Sequence, residues 1–300
     1  MIGAGVMGRR HMHAANVSTA VTLSIIYDLD TDRRTEAAGE FNCTAAASLE
    51  DACAQADAAV IATPTHAHHS AAMVCLNAGL HCLVEKPLAL TEPECRALID
   101  SAAVKNLVLQ VGHTERFNPA IEALWTQNLT PGEIRALTAH RMNPPAARII
   151  KDDEILDLMV HDLDVILALK QAPVLEVAAR SLGAEHSEAV LTFADGTKAT
   201  LSASRTATER ARDLEVLTNT GTIHVDYADR RAWAVSSSSG ADSASSPQPI
   251  KVESGDPLQQ QLAHFAACIH GVHPPRVSGE HALATMKLAW RIQAALRKDV

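Results

Sequence analysis

The sequence predicts an α/β protein in two parts. Residues 1–115 read as a parallel sheet covered by helices, and residues 116–300 as an α+β part with a largely antiparallel, open-faced sheet. Three observations predict this. Over the first 112 residues, short apolar runs alternate with amphipathic helical patterns, the rhythm of parallel strands each carried back by a helix. A glycine-rich turn, Gly3-x-Gly5-x-x-Gly8, stands at the head of that rhythm. Beyond about residue 170, strand patterns follow one another with only turns between them, which is how antiparallel strands are joined.

The elements follow in order. LSIIYD (23–28) is a strand and 31–40 a helix. AAVIATP (58–64) is a strand, and 68–78 a helix ending at Gly79. HCLVEKP (81–87) is a strand, 91–103 a helix and LVLQVG (107–112) a strand. RFNPAIEALW reads as helical and 134–142 as a strand. In DEILDLMVHDLDVILAL (153–169), Ile155, Leu158, Met159, Leu163, Ile166 and Leu167 recur at helical spacing. Strands at 174–183, 187–194, 197–205, 213–219, 222–227 and 231–236 form a meander, with glycine in ADGT and TNTGT supplying turn chemistry. SSSSGADSASSPQ (236–248) is low in complexity and is expected to be a mobile hairpin tip. Helices at 256–271 and 279–297 close the chain.

Composition narrows the function classes. Aromatics are only 3% of the chain, so Ala, Val, Ile and Leu must build the core. The net charge of −9 argues against broad contact with nucleic acid or an anionic membrane, which needs a basic stripe. It leaves room for a local basic pocket. No apolar run reaches the roughly 18 residues of a membrane helix. Glycines and GRRH stand where a signal peptide would be apolar, and most cysteines lie in apolar contexts, which fits reduced thiols in a cytoplasmic protein. The six cysteines (43, 53, 75, 82, 95, 268) contain no C-x-x-C pair, and no metal is expected of them.

Gly3, Gly5 and Gly8 match the fingerprint of a Rossmann dinucleotide domain, in which Val6 and Met7 complete the loop. The first two glycines let a pyrophosphate approach, and the third lets helix pack on strand. Asp28 ends the next strand, twenty residues after Gly8, where a carboxylate accepts from ribose hydroxyls and repels a 2′-phosphate. This favours NAD over NADP, although Arg33 and Arg34 could soften the preference; the competing reading makes Asp28 a loop residue or helix cap. Almost no strand precedes Gly3. Burying a Val or Ile is worth about 1.5–3 kcal/mol, so several β-prone residues before Met1 are expected; a stub of Met1 and Ile2 is the alternative.

A second constellation joins Thr63-Pro64, His68, Ala-Gly-x-His at 78–81 and Glu85-Lys86-Pro87. With the fingerprint, the 153–169 helix and the closing DPLQQQLAHFAACIHG and SGEHAL, it resembles the family of glucose–fructose oxidoreductase, inositol dehydrogenase and MocA. The resemblance implies that Thr63, Pro64, His68, Glu85 and Lys86 line the cofactor site, with Lys86 beside the nicotinamide and the reacting carbinol. A partly desolvated ammonium there would stabilise alkoxide character as hydride leaves. A cis Lys86–Pro87 bond fits the same pattern. Asp157 and His161 stand at i, i+4, on one face of a helix. In the family such a pair supplies a general base, here His161, and a carboxylate that orients it, here Asp157; Asp164 is a secondary partner. Alone, the pair would read as a polar helix face. No metal is expected there.

VGHTERFNPAIEAL (111–124) resembles the branch of that family acting on the 3-hydroxyl of UDP-N-acetylglucosamine-type nucleotide sugars. By that resemblance His113, Arg116 and Asn118 belong to the substrate site, with Glu115 beside them, and Arg116 and Arg141 supply charge for a diphosphate. The bland alternatives are a structural hydrogen bond for His113, and bracing and helix capping for Arg116 and Asn118. His66 and His69 are expected to face solvent and His11 to pack in the first helix. The expected activity is oxidation of a secondary alcohol of a nucleotide sugar to a ketone. Oxidation of a free sugar, inositol or polyol, and a non-catalytic NAD or sugar sensor, are the alternatives. Both faces of the strand around Leu191 and Phe193 are apolar or small, and the family pairs such sheets, so a homodimer or homotetramer is expected.

Overall fold

The computed structural model describes residues 1–145, 152–237 and 246–297. It divides into two compact units, Met1–Phe117 with Gly255–Ala284, and Asn118–Ser254 with Thr285–Val300. The first break lies beside the expected boundary at 115/116. The expectation that everything after it stays together does not hold, because 255–284 rejoins the first unit.

In the first unit, α1 (Val6–Asn16) follows the glycine turn directly. β1 (Ile25–Ile26) leads into α2 (Thr31–Phe41), whose first turn is capped by Asp30 accepting from the Arg33 N–H. β2 (Thr44–Ala45) and α3 (Leu49–Cys53) come next; both are too short for a periodic signal, and neither was expected. β3 (Ala58–Ile61), α4 (His68–Asn77), β4 (His81–Glu85), α5 (Glu92–Val104) and β5 (Leu109–Gly112) agree with the sequence pattern. α5 starts where it does because Thr91 and Glu94 cap each other reciprocally around Pro93.

All pairings among these strands are parallel. Ile2 joins them, bridging Tyr27 on one side and Ile61 on the other. It donates to the Val60 carbonyl and accepts from the Ala62 N–H. The order is therefore β2-β1-Ile2-β3-β4-β5. This places the glycine turn at the carboxyl ends of the central strands, where open α/β sheets bind ligands.

The second unit opens with α6 (Pro119–Trp125), capped by Asn118, and β6 (Ile134–Met142). One π-helical turn, Ile155–Met159, runs into α7 (Val160–Lys170). β7 (Val174–Gly183), β8 (His186–Phe193), β9 (Lys198–Ser204), β10 (Ala211–Thr218), β11 (Gly221–Asp226), β12 (Arg231–Ser236) and β13 (Gln248–Ile250) follow. The expected low-complexity tip falls mainly on 238–245, outside the described residues.

These strands make an eight-stranded sheet in the order β13-β12-β11-β10-β6-β9-β8-β7. It is not the single meander the sequence suggested. β6 is inserted between β9 and β10, parallel to β9 and antiparallel to β10. The sheet is otherwise antiparallel, as expected. Along β8, Ser187, Ala189, Leu191 and Phe193 are buried while the alternate row is partly exposed, the period-two pattern of a sheet with one open face.

The chain closes with α8 (Pro257–Ile269), capped by Asp256, and α9 (Gly279–Leu296). α8 packs on α1, burying Leu262 and Phe265 with Ala14, Ala15 and Leu83. In the second unit Leu137, Leu191, Phe193, Leu201 and Val216 share a core with Met159, Leu163 and Ile166, and with Met286 and Ile292 of α9. Each such side chain contributes about 1.5–3 kcal/mol on burial, which anchors α7 to the sheet. No helix among the described residues is long and apolar enough to cross a membrane.

Candidate active site

The glycine turn is built by close backbone approach. Gly3 has φ +94°, and a Cβ there would lie 2.7 Å from the Ala62 carbonyl oxygen. A Cβ on Gly8 would lie 2.0 Å from the Gly3 carbonyl oxygen. Neither place admits a side chain. Gly5 differs: it is the N-cap of α1, no side chain caps the helix, and its Cβ direction is open. The first-turn N–H groups of α1, with the helix dipole behind them, suit a phosphate. Val6 is exposed and Met7 half-buried beside them.

Asp28 is 9% exposed. Its Oδ2 accepts from the Ala4 N–H at 2.7 Å and its Oδ1 from the Asp30 N–H at 2.9 Å. A carboxylate has about four acceptor sites, so capacity for ribose hydroxyls remains. Asp28 thus also holds the glycine turn, which partly meets the loop-residue reading. Arg33 stands 3.6 Å from it. The Thr63 hydroxyl is buried without a hydrogen-bond partner among the described residues. An orphaned hydroxyl at this strand end, a helix without a side-chain cap and the spare acceptor capacity of Asp28 together fit a dinucleotide.

His68 ties two loops together. Its Nδ1 is 2.7 Å from the Pro87 carbonyl oxygen and its Nε2 is 2.9 Å from that of Thr63. Both partners are carbonyl oxygens, which only accept, so a ring N–H of His68 is committed to one of these two loops. The Lys86–Pro87 bond is cis, as expected. Lys86 is half-buried at the end of β4. Beneath it lies a pair that the sequence did not disclose: buried His11 of α1 donates from Nε2 to Glu85 at 2.7 Å. Burial alone would raise the Glu85 carboxyl. The His11 hydrogen bond and the charges of His11, Lys86 and His68 outweigh it and hold Glu85 below the usual carboxylate range. His66 is exposed and His69 half-buried.

His113 is 1% exposed, and Arg116 is half-buried in a short turn, Thr114–Phe117. The returning segment braces that turn. Arg276 donates to the Arg116 carbonyl at 2.8 Å and lies over the Phe117 ring, and Thr114 donates to Gln261.

In the second unit Asn118 is buried, caps α6 through the Ala120 N–H and donates to the Tyr227 carbonyl. This is the bracing role offered as the alternative to substrate contact. Arg141 requires a correction. It is 1% exposed and gives Nε and Nη2 to the Asp162 carboxylate, both at 2.8 Å. Its charge is matched inside the fold, so the structure does not support a diphosphate role. Asp157 lies in the π turn, where the Val160 N–H reaches the Ile155 carbonyl five residues back. Such turns recur at functional sites. Arg205 approaches Asp157 Oδ2 at 3.5 Å, while donating to the Asp152 carbonyl and to Glu185. His161 is half-buried and Asp164 buried on α7. His11, Arg205 and Asp162 were missed. Only His11 left a trace, three residues after Gly8 on the buried stripe of α1.

A glycine turn at the head of α1, an acid at the end of the next strand and a lysine at the end of β4 are the parts of a dinucleotide-dependent oxidoreductase. Residues 1–113 match the GFO_IDH_MocA family, described as "Oxidoreductase family, NAD-binding Rossmann fold". The UDP-N-acetylglucosamine 3-dehydrogenase of Acidithiobacillus ferrooxidans is 37% identical over 232 residues, 76% of this chain and 73% of that one. Its crystal structure superposes with a TM-score of 0.92 at 31% identity, covering 98% of this chain and 96% of that one. An inositol 2-dehydrogenase of Leifsonia xyli is 31% identical over 58% of this chain and 54% of its own length. Scyllo-inositol dehydrogenase from Lactobacillus casei, solved with NAD(H) and scyllo-inositol, shares the fold at 20% identity and a TM-score of 0.83, covering 99% of this chain and 96% of that one. The chain belongs to the Gfo/Idh/MocA family of NAD-binding oxidoreductases.

Proposed function

We propose that this oxidoreductase converts the 3-hydroxyl of a UDP-N-acetylhexosamine-type nucleotide sugar to a ketone, with NAD as hydride acceptor. The observation that carries the reading is likeness to a UDP-N-acetylglucosamine 3-dehydrogenase across nearly the whole chain, at 31% identity and a TM-score of 0.92.

NAD, when bound, supplies the ring that accepts the hydride. The first turn of α1 holds its pyrophosphate, and Asp28 and Thr63 its ribose side. His161 takes the proton of the reacting hydroxyl, a task worth about 10²–10⁴ in rate for a positioned base. Asp157 orients His161, and Arg205 holds Asp157. Lys86 donates a hydrogen bond to the substrate oxygen and stabilises its alkoxide character as hydride departs. Glu85, kept ionised by His11, places a negative charge next to Lys86. Arg116 supplies the diphosphate charge and His113 a polar edge of the sugar site. A homodimer or homotetramer, formed through the partly exposed row His186, Glu188, Val190 and Thr192 of β8, belongs to the same reading; sedimentation tests it.

Likeness to inositol 2-dehydrogenases favours a second reading, oxidation of a free polyol. Competition decides between them. UDP alone should inhibit a nucleotide-sugar enzyme competitively with its substrate. Turnover of free sugars or inositols that UDP does not affect overturns the first reading.

A further inference from the structure

The sequence offered no metal motif, because the relevant residues come from a helix and the loop after it. His264 and Cys268 stand at i, i+4 on α8 and share a face. Gly271, with φ +71°, turns the chain back just after the helix. This brings His273 onto the same face, its ring stacked on that of His264 at 4.2 Å. Cys268 Sγ lies 3.4 Å from His273 Nδ1. One ligand atom from each of the three residues falls within 4.8 Å of the others.

We infer that His264, Cys268 and His273 form a binding site for a zinc-type divalent cation in the first unit. With Zn–S about 2.3 Å and Zn–N about 2.0–2.1 Å, the S···N edge of a tetrahedral site is about 3.5 Å. The Cys268–His273 edge already has this length. A thiolate and two imidazoles are ligands that suit a borderline-soft ion, and three protein ligands leave a fourth place for water. Cys268 and the half-buried His264 are fixed by the helix. His273 is exposed and turns its ring to close the remaining distance. On binding, the Cys268 proton leaves to solvent and both imidazoles ligate as neutral rings.

Loading has one necessary consequence. His264 Nε2 now accepts from the Arg276 N–H at 3.0 Å. If Nε2 takes the metal, that lone pair is consumed. If Nδ1 takes it, the ring proton moves to Nε2, which then cannot accept. Either way the Arg276 N–H is released. Arg276 is the residue that braces Arg116 and Phe117, so the ion exchanges one hold on the supporting loop for another: it ties His273 to α8 and frees the Arg276 N–H.

The test uses the full-length, tag-free chain, stripped with a chelator and titrated with Co²⁺ as the spectroscopic stand-in for zinc. The expected result is one equivalent per chain, with tetrahedral visible bands and a thiolate-to-cobalt absorption in the near ultraviolet. Cys268→Ser should remove the thiolate band, and His273→Ala, an exposed position that does not threaten folding, should weaken binding at least tenfold. Lys86→Ala should bind cobalt like the parent chain. Zinc should also speed hydrogen exchange at the Arg276 amide. No saturable binding at one per chain, an octahedral spectrum, or an unchanged thiolate band in Cys268→Ser overturns the site.

Discussion

The glycine turn permits a prediction that separates folding from cofactor binding. At Gly5 the backbone is ordinary (φ −72°, ψ −165°) and nothing lies within 4 Å of a Cβ. Gly5→Ala should therefore leave the fold within about 0.5 kcal/mol of the parent, as neutral substitutions do. The new methyl group stands where a pyrophosphate must come close, so NAD affinity should fall at least tenfold, about 1.4 kcal/mol. At Gly8 the case is reversed. Its Cβ would sit 2.0 Å from the Gly3 carbonyl oxygen. An ordinary C···O contact is about 3.3–3.6 Å, so α1 and the turn must part by more than about 1 Å. Overpacking of this kind costs roughly 1–3 kcal/mol, and affinity should be lost along with stability. Thermal unfolding with and without NAD, together with calorimetric titration, reads both quantities. Parent-like NAD affinity in Gly5→Ala would mean that the pyrophosphate does not approach Gly5, and parent-like stability in Gly8→Ala that the close packing of α1 on the turn is not needed.

Asp28→Ala should weaken NAD binding while improving NADP relative to NAD, and should cost about 1–3 kcal/mol of stability because the Ala4 N–H loses its acceptor; an unchanged NAD to NADP ratio in titrations counts against the ribose contact. Glu85 has a folded pKa below its unfolded value, so its stabilising contribution is full above about 4.3 and disappears as pH falls through the folded value. His11→Ala removes the hydrogen bond and charge that lower it, and the midpoint of acid unfolding, followed by circular dichroism, should move to higher pH; coincident curves would contradict this. Arg141→Met leaves Asp162 buried and uncompensated and should cost about 3–5 kcal/mol, with the double variant Arg141→Met/Asp162→Leu recovering much of it. Full stability in the single variant with a raised KM for nucleotide sugars would return Arg141 to the diphosphate.

Local signals carried most of the elements. The 3.6 and 2.0 periods located α4, α5 and the strands from β6 to β12, most clearly β6, β8 and β10, in which every second residue is buried. What stayed hidden depends on distant partners. β6 pairs with both β9 and β10, and no turn signal announces an insertion between strands consecutive in sequence. Segment 255–284 returns to the first unit because Leu262 and Phe265 pack against α1, a choice of partner that amphipathicity does not specify. The same division runs through the site. Motifs of adjacent residues, the glycine turn and Glu85-Lys86-Pro87, were legible. Pairings across the fold were not: His11 lies 74 positions from Glu85, and Arg205 lies 48 from Asp157. Arg141 looked like a substrate cation because sequence shows a charge but not whether Asp162 neutralises it.

NADH formation with UDP-N-acetylglucosamine, by the parent chain and by Lys86→Ala, with NMR of the product, decides whether the enzyme oxidises the sugar 3-hydroxyl with Lys86 at the reacting carbon. The parent should give stoichiometric NADH and a ketone at the sugar C3, and the variant should lose at least a hundredfold in kcat while NAD still binds. Parent-level hydride transfer in Lys86→Ala, or NADH formed from free polyols but not from UDP-sugars, would contradict this reading.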